Sequence, residues 1–164
     1  MPLPDMLRPS VSCTEHRLQY FDGSSRIVYC TQHEEPFPEG RLIVSRVDLA
    51  GIITHANDAF VEMSGYGHEE LMGAPHYILR HPDMPRVAFA DLWKTISDGK
   101  KWHGYVKNLR KDGSFYWVYA TAIPNVRQGR IAGYTSVRRK PSRKKVEELS
   151  AVYVELLTQE RAAT

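Results

Sequence analysis

Apolar and polar positions change texture along the chain. Over residues 1–40 the prolines at 2, 4, 9, 36 and 38 and the turn formers Asp22-Gly23-Ser24-Ser25 interrupt every run. No helical or strand period is sustained there, so the segment reads as an extension ordered only near its end. From Leu42 two short β-branched runs, Leu42-Ile43-Val44 and Ile52-Ile53-Thr54, flank Asp48-Leu49-Ala50-Gly51 in the pattern of a hairpin. Asn57 or Asp58 can then cap a helix carrying Phe60, Val61 and Ser64 at helical spacing, with Gly65-Tyr66-Gly67 as its stop. Short helical pieces follow from His68 to Gly73 and from Pro75 to Leu79, up to the break at Arg80-His81-Pro82. Asp83 is expected to cap a longer helix with Pro85 in its first turn, Phe89, Leu92, Trp93 and Ile96 on one face, and Gly99 beyond its end.

Two strand-like stretches, Trp102 to Arg110 and Ser114 to Pro124, meet across Lys111-Asp112-Gly113, whose Asp-Gly pair is a hairpin signal. A third, Arg130 to Arg138, follows the turn Arg127-Gln128-Gly129. Two strands, then helices, then three strands predict an α+β fold with one antiparallel sheet. Past Pro141, the positions Val146, Leu149, Val152, Tyr153, Leu156 and Leu157 recur at steps of three and four, an amphipathic helix. Folding back on its own domain and pairing in a homodimer fit that stripe equally, because fewer than two heptads are visible. The chain thus divides into an N-terminal extension (1–40), a domain (41–140) and a C-terminal amphipathic helix (141–164).

The 164 residues suit one domain, with hydrophobic and charged fractions of 42% and 25% that belong to an ordinary globular protein. No window approaches a membrane span, and the first residues lack the apolar run of a secretory signal, so a cytoplasmic location is expected. Cys13 and Cys30 are too few for a disulfide framework and read as reduced thiols. The net charge of +3 comes largely from Arg138-Arg139-Lys140 and Arg143-Lys144-Lys145. Without interleaved aromatics this run reads as a solvated face, and no nucleic-acid partner is expected. No kinase, coiled-coil or DNA-binding unit follows, so output is expected to pass through contact with another chain.

Strand parity bears on chemistry. Trp102, Gly104, Val106 and Asn108 share one face of their strand, with His103, Tyr105 and Lys107 on the other. An apolar face opened by a glycine and ending in an amide that both donates and accepts is a plausible cavity wall; an edge-facing amide bonded to water fits the parity equally. Arg80 and His81 bring a guanidinium and an imidazole to one turn, where phosphates would find donors. Asp83 and Asn57 read either as helix caps or as site residues. His76 or His81 could serve haem as an axial ligand, whereas none of the seven histidines shows zinc spacing.

The strings THANDAF, MSGY, RHPDMP, AFADLW and GYVKNLRKDGSFYWV, within Tyr29 to Lys140, resemble the flavin-binding PAS sensor domains of the aerotaxis-receptor kind. That resemblance implies a five-stranded antiparallel sheet with short helices on one face, and FAD held noncovalently. It implies that Trp102 stacks on the ring, that Asn108 meets its edge, and that Arg80, His81 and Asp83 lie toward the ribityl-pyrophosphate and adenine. Asn57 and Thr135 are further candidates. On the strand of Thr135 and Gly133 light-sensing relatives carry a glutamine, and its lack here excludes a glutamine-based switch. No cysteine lies on 76–81, so thiol-adduct photochemistry is not expected. The implied function is redox or oxygen sensing of the aerotaxis or energy-sensing type, without enzymatic turnover, signalling to a chemoreceptor or kinase. The alternatives are a PAS dimerisation or interaction domain without redox cofactor, a haem-binding PAS sensor, and a small flavin reductase. The last lacks a nicotinamide-binding glycine fingerprint.

Overall fold

The computed structural model describes residues 2–163. Its centre is an antiparallel sheet of five strands, β3 (Ile43–Val47), β4 (Ile53–Ala56), β5 (Trp102–Leu109), β6 (Phe115–Arg127) and β7 (Arg130–Arg139), in the order β4-β3-β7-β6-β5. The expected hairpins are present. β5 and β6 pair from Trp102↔Ala122 to Leu109↔Phe115 across the Asp-Gly turn, and β6 turns into β7 through Gln128 and Gly129, both at positive φ (51° and 75°), as the tightest β-hairpin turns require.

Helices α1 (Asp58–Ser64), α2 (His68–Leu71) and α3 (Arg86–Ser97), with a one-turn 3-10 helix at His76–Leu79, connect β4 to β5 and cover one face of the sheet. Between them and the sheet lies the core, including Ile43, Ile53, Phe60, Leu71, Leu79, Tyr116 and Val118. The long helix α4 (Arg143–Ala162) covers the opposite face. Its Val146 and Tyr153 are buried with Met84 and Trp117, and Tyr153 Oη donates to the Tyr105 carbonyl at 2.7 Å. Of the two arrangements its stripe allows, this one folds back on its own domain.

Two expectations are corrected. Residues 14–30 are not irregular extension. Thr14–Gln19 (β1) and Ser25–Cys30 (β2) pair in a separate hairpin, whose Val28 and Cys30 are buried with Met6 and Leu109. Asp83 does not cap α3; the helix begins at Arg86 with Pro85 at the N-cap position, and the Asp83 carboxylate pairs with Lys107 Nζ at 2.8 Å. Proline at position 85 has no N–H to hold back from a helix, yet restricts residue 84 to extended backbone, which delays the helix start.

Candidate functional site

Between the sheet and α3 lies a cavity of about 640 Å³, a volume suited to a sizeable organic ligand. Alternation along the strands decides its walls. β5 contributes Trp102, Val106 and Asn108; β6 contributes Val118, Ala120 and Ala122; β7 contributes Tyr134, Ser136 and Arg138. α3 closes it with Phe89, Leu92, Trp93 and Ile96, and Trp93 meets Tyr134 edge to face at 5.6 Å between centroids. The N-terminal hairpin reaches the rim through Gln19, Tyr20 and Phe21, with Tyr20 stacked on Tyr77 at 3.9 Å.

Trp102 is 9% exposed, and its Nε1 donates to Asp91 Oδ2 at 2.9 Å, which fixes the ring in the wall. A side-chain carbon at residue 104 would collide with that ring, so glycine is required for the ring to lie flat along the strand. Asn108 is 5% exposed and lines the cavity. Its neighbour across the strands, Tyr116, is fully buried with its hydroxyl unpartnered. Burial pushes that phenol up to about 12, with the nearby Arg138 cation and Asn108 amide opposing.

Arg80 lies in the wall, its guanidinium 5.0 Å from the Phe89 centroid and its buried Nε unpartnered. Desolvation lowers its pKa, and Glu160 of α4 partly opposes this. Arg86 also lines the cavity, 3.9 Å from the Glu160 carboxylate.

The other candidate residues do not present free polar groups to the cavity. After Arg80, whose backbone pairs with Asn108, the chain crosses the β5 edge to the outer face of the sheet. There His81 is buried against Phe115; its Nδ1 accepts from the Asp83 N–H at 3.0 Å, while its Nε2 has no partner. His81 and Asp83 both stand outside the cavity lining. Burial, helped by the Lys107 cation, lowers the His81 pKa to about 3. Asn57 caps α1: its Oδ1 accepts from the N–H of Phe60 and Val44 and its Nδ2 donates to Leu42, and it stands outside the cavity lining. Thr135 borders the cavity, but its hydroxyl donates to Asn125 at 2.8 Å, because parity turns its neighbours Tyr134 and Ser136 inward instead.

Sequence reasoning missed the most buried cation of the site. Arg138, 2% exposed, donates from Nη2 to Ser45 Oγ (2.7 Å) and to His76 Nε2 (2.8 Å), while its Nη1 is unpartnered. Its guanidinium lies 4.8 Å from the Phe60 centroid. Strand alternation was the available signal: Arg138 shares the face of Tyr134 and Ser136, four and two residues before it, whereas Arg139 faces the other way. His76 lines the cavity half-buried, and its pKa is lowered to about 3, first by desolvation and then by the Arg138 cation. In the cavity His76 Nε2 accepts from an arginine, and His81 lies outside the lining. Among the described residues no cluster of His, Cys, Asp or Glu could hold a metal ion, and no helix is long and apolar enough to cross a membrane.

Residues 53–138 match the family model described as the PAS fold. The chain is 47% identical over 125 residues to the aerotaxis receptor of Escherichia coli K12, an alignment covering 76% of this chain and 25% of the receptor. It is 28% identical over 102 residues to the nitrogen fixation regulatory protein of Klebsiella pneumoniae, covering 62% of this chain and 21% of that protein. The chain therefore spans a quarter or less of the length of these relatives. Among solved structures, the PAS domain of a Colwellia psychrerythraea protein superposes with a TM-score of 0.56 at 23% identity, covering 61% of this chain and 86% of that one. A light-oxygen-voltage domain studied with a flavin analogue superposes at 0.58 and 22%, covering 75% of this chain and 87% of that one. At these identities the superpositions speak to fold alone.

Proposed function

Because this chain belongs to the PAS family, with its PAS-fold match spanning residues 53–138, we propose that it is a redox- or oxygen-sensing module that binds FAD noncovalently in the cavity and signals by protein contact. The observation that carries this reading is the cavity itself. It has an aromatic and aliphatic wall interrupted by the amide of Asn108 and by the unpartnered guanidinium nitrogens of Arg80 and Arg138. A flat heteroaromatic ring with a polar edge and a phosphate-bearing tail matches that combination. The aerotaxis receptor to which the chain is similar lends support to the sensory role.

A bound flavin supplies an electron-accepting ring. Trp102, locked by Asp91, forms a flat wall for it. Asn108 offers both a donor and an acceptor, and rotation of its amide exchanges the two. Arg80 and Arg86 put two guanidinium groups in the wall, opposed by the carboxylate of Glu160, and this favours a pyrophosphate over a single terminal phosphate. His81, Asp83, Asn57 and Thr135 act on the site only by holding the β5 edge, the α1 start and the β7 strand.

The route outward also starts at Arg86. Glu160 of α4 accepts the Val87 N–H at 3.1 Å and faces Arg86, so a change of charge in the cavity alters a contact that docks α4. A chemoreceptor or kinase partner would read the α4 surface. We place the module in the cytoplasm, in keeping with two free thiols of which Cys30 is buried. Purified protein is expected to be yellow, and cofactor released by heat is expected to be FAD and not FMN. A colourless protein that cannot be loaded with FAD defeats this reading.

A further inference from the structure

A single exposed apolar side chain is ordinary at a protein surface, but one held at the mouth of a ligand cavity by a clamped turn is not. Phe21, at the tip of the β1-β2 hairpin, is 76% exposed and lines the cavity. The residues on either side of it are fixed to one tyrosine of the 3-10 helix: Tyr20 stacks on the Tyr77 ring, and Asp22 Oδ2 accepts from Tyr77 Oη at 2.6 Å. The turn is closed by the Gly23 N–H on the Tyr20 carbonyl and by the Ser24 N–H on the Asp22 carboxylate. The Phe21 ring stands edge to face with Tyr77, 5.9 Å between centroids, and most of its surface meets solvent. Leu49, in the turn between β3 and β4, is exposed and also lines the cavity. That turn is fixed as well: Asp48 Oδ1 accepts from the N–H groups of Ala50 and Ile52, and the Gly51 carbonyl accepts from the His76 N–H at 2.9 Å. Two rigid turns, both seated on residues 76–77, thus bring exposed apolar side chains to one opening. The hairpin tip also adjoins Arg80: burial raises the Tyr20 phenol pKa, the Arg26 cation opposes this, and Arg80 does so more weakly.

We propose that Phe21, with Leu49, forms a subsite for the adenine of the bound dinucleotide and so selects FAD over flavins that lack that base. The inference rests on the FAD reading above and extends it to a hairpin outside the family match, which begins at residue 53. The lining runs from buried Trp102 and Asn108, past half-buried Arg80, whose backbone pairs with Asn108, to exposed Phe21. A dinucleotide presents its parts in the same order: a ring for the enclosed wall, a pyrophosphate for the guanidinium groups, and a base for the mouth. A purine is flat and stacks on a phenyl ring without any fixed hydrogen-bond partner, so its polar edge can stay in water. Gln19, two residues before Phe21, lines the cavity too, and its amide can both donate to and accept from that edge. FMN and riboflavin end before they reach the subsite.

The test is fluorescence titration of the full chain, freed of cofactor, with FAD and with FMN, in wild type, Phe21→Ala and Phe21→Trp. Loss of one base–aromatic stack should weaken FAD binding about 5- to 100-fold in Phe21→Ala while leaving FMN binding unchanged. Phe21→Trp, which keeps a stacking face, should bind FAD at least as tightly as wild type. The ratio of the two affinities is the readout, so a hairpin that merely loosens does not mimic the effect. Equal losses for FAD and FMN overturn the subsite and leave Phe21 as a brace of the hairpin. Wild-type FAD affinity in Phe21→Ala also overturns it, with the flavin reading intact; if that variant is monomeric where wild type self-associates in sedimentation, the ring serves a second copy of the chain instead. Wild-type protein that binds FMN as tightly as FAD overturns the subsite without recourse to any variant. A chain that binds neither flavin overturns both readings.

Discussion

Trp102 and Gly104 depend on each other. The indole lies flat only because residue 104 has no side chain, and it stays flat because Asp91 holds its N–H. Removing the ring should weaken FAD retention without unfolding the sheet, since Val118 and Ala120 still line that wall. Trp102→Ala is expected to cost about 1–2 kcal/mol of binding, a 5- to 30-fold weaker dissociation constant by fluorescence titration. Unchanged affinity would place the ligand elsewhere. At this scale parity succeeded for β5, where Trp102, Val106 and Asn108 share the cavity wall as the alternation predicts. On β7 it was not carried as far as Arg138, which was grouped with Arg139 and Lys140 as solvated charge. Arg138 is 2% exposed: alternation separates it from Arg139, and Lys140 lies beyond the end of the strand.

Helix α4 docks by a few specific contacts: Tyr153 Oη on the Tyr105 carbonyl, Val146 and Tyr153 against Trp117 and Met84, and Glu160 at the start of α3. Loss of one such hydrogen bond costs about 1 kcal/mol net. Tyr153→Phe should therefore speed amide exchange along α4 about fivefold while leaving the β6 and β7 amides unchanged. Uniform acceleration throughout the molecule would show that α4 opens only with the whole fold. The five sheet strands and all four helices were legible as elements, because β-branched runs, Asp-Gly and glycine stops mark them. The β1-β2 hairpin was not. Every second residue of β2 is buried, yet β1 reads Thr-Glu-His-Arg-Leu-Gln and is mostly exposed, so it lacks the apolar alternation that identifies a strand. The delayed start of α3 was hidden as well, since Asp83 has the chemistry of a cap and finds Lys107 instead.

For the whole molecule, two histidines set the acid limit. His76 and His81 are held near pKa 3 by burial, against an ordinary value of 6.5. An unfolded chain takes up their protons as pH falls below about 6.5, whereas the folded chain does not, so stability is present above that pH and drains away between about 6 and 3. Each proton contributes a slope of about 1.4 kcal/mol per pH unit. Urea midpoints should fall from pH 7 to 5, and His76→Gln should flatten the fall by one proton; identical midpoints at both pH values would show that the imidazoles are solvated. The hairpin contact at the rim has a different consequence, one of residence time. Tyr20 stacked on Tyr77, with Arg26 donating to Tyr20 Oη and to the Ile78 carbonyl, ties β1-β2 to the 3-10 helix across one side of the cavity. A ligand leaving by that side must first part the two tyrosines, so its dissociation rate is bounded by how often the latch opens, whatever the affinity of the pocket beneath. A chain beginning at Thr31 would then exchange its cofactor within the time of handling, and would be read as empty.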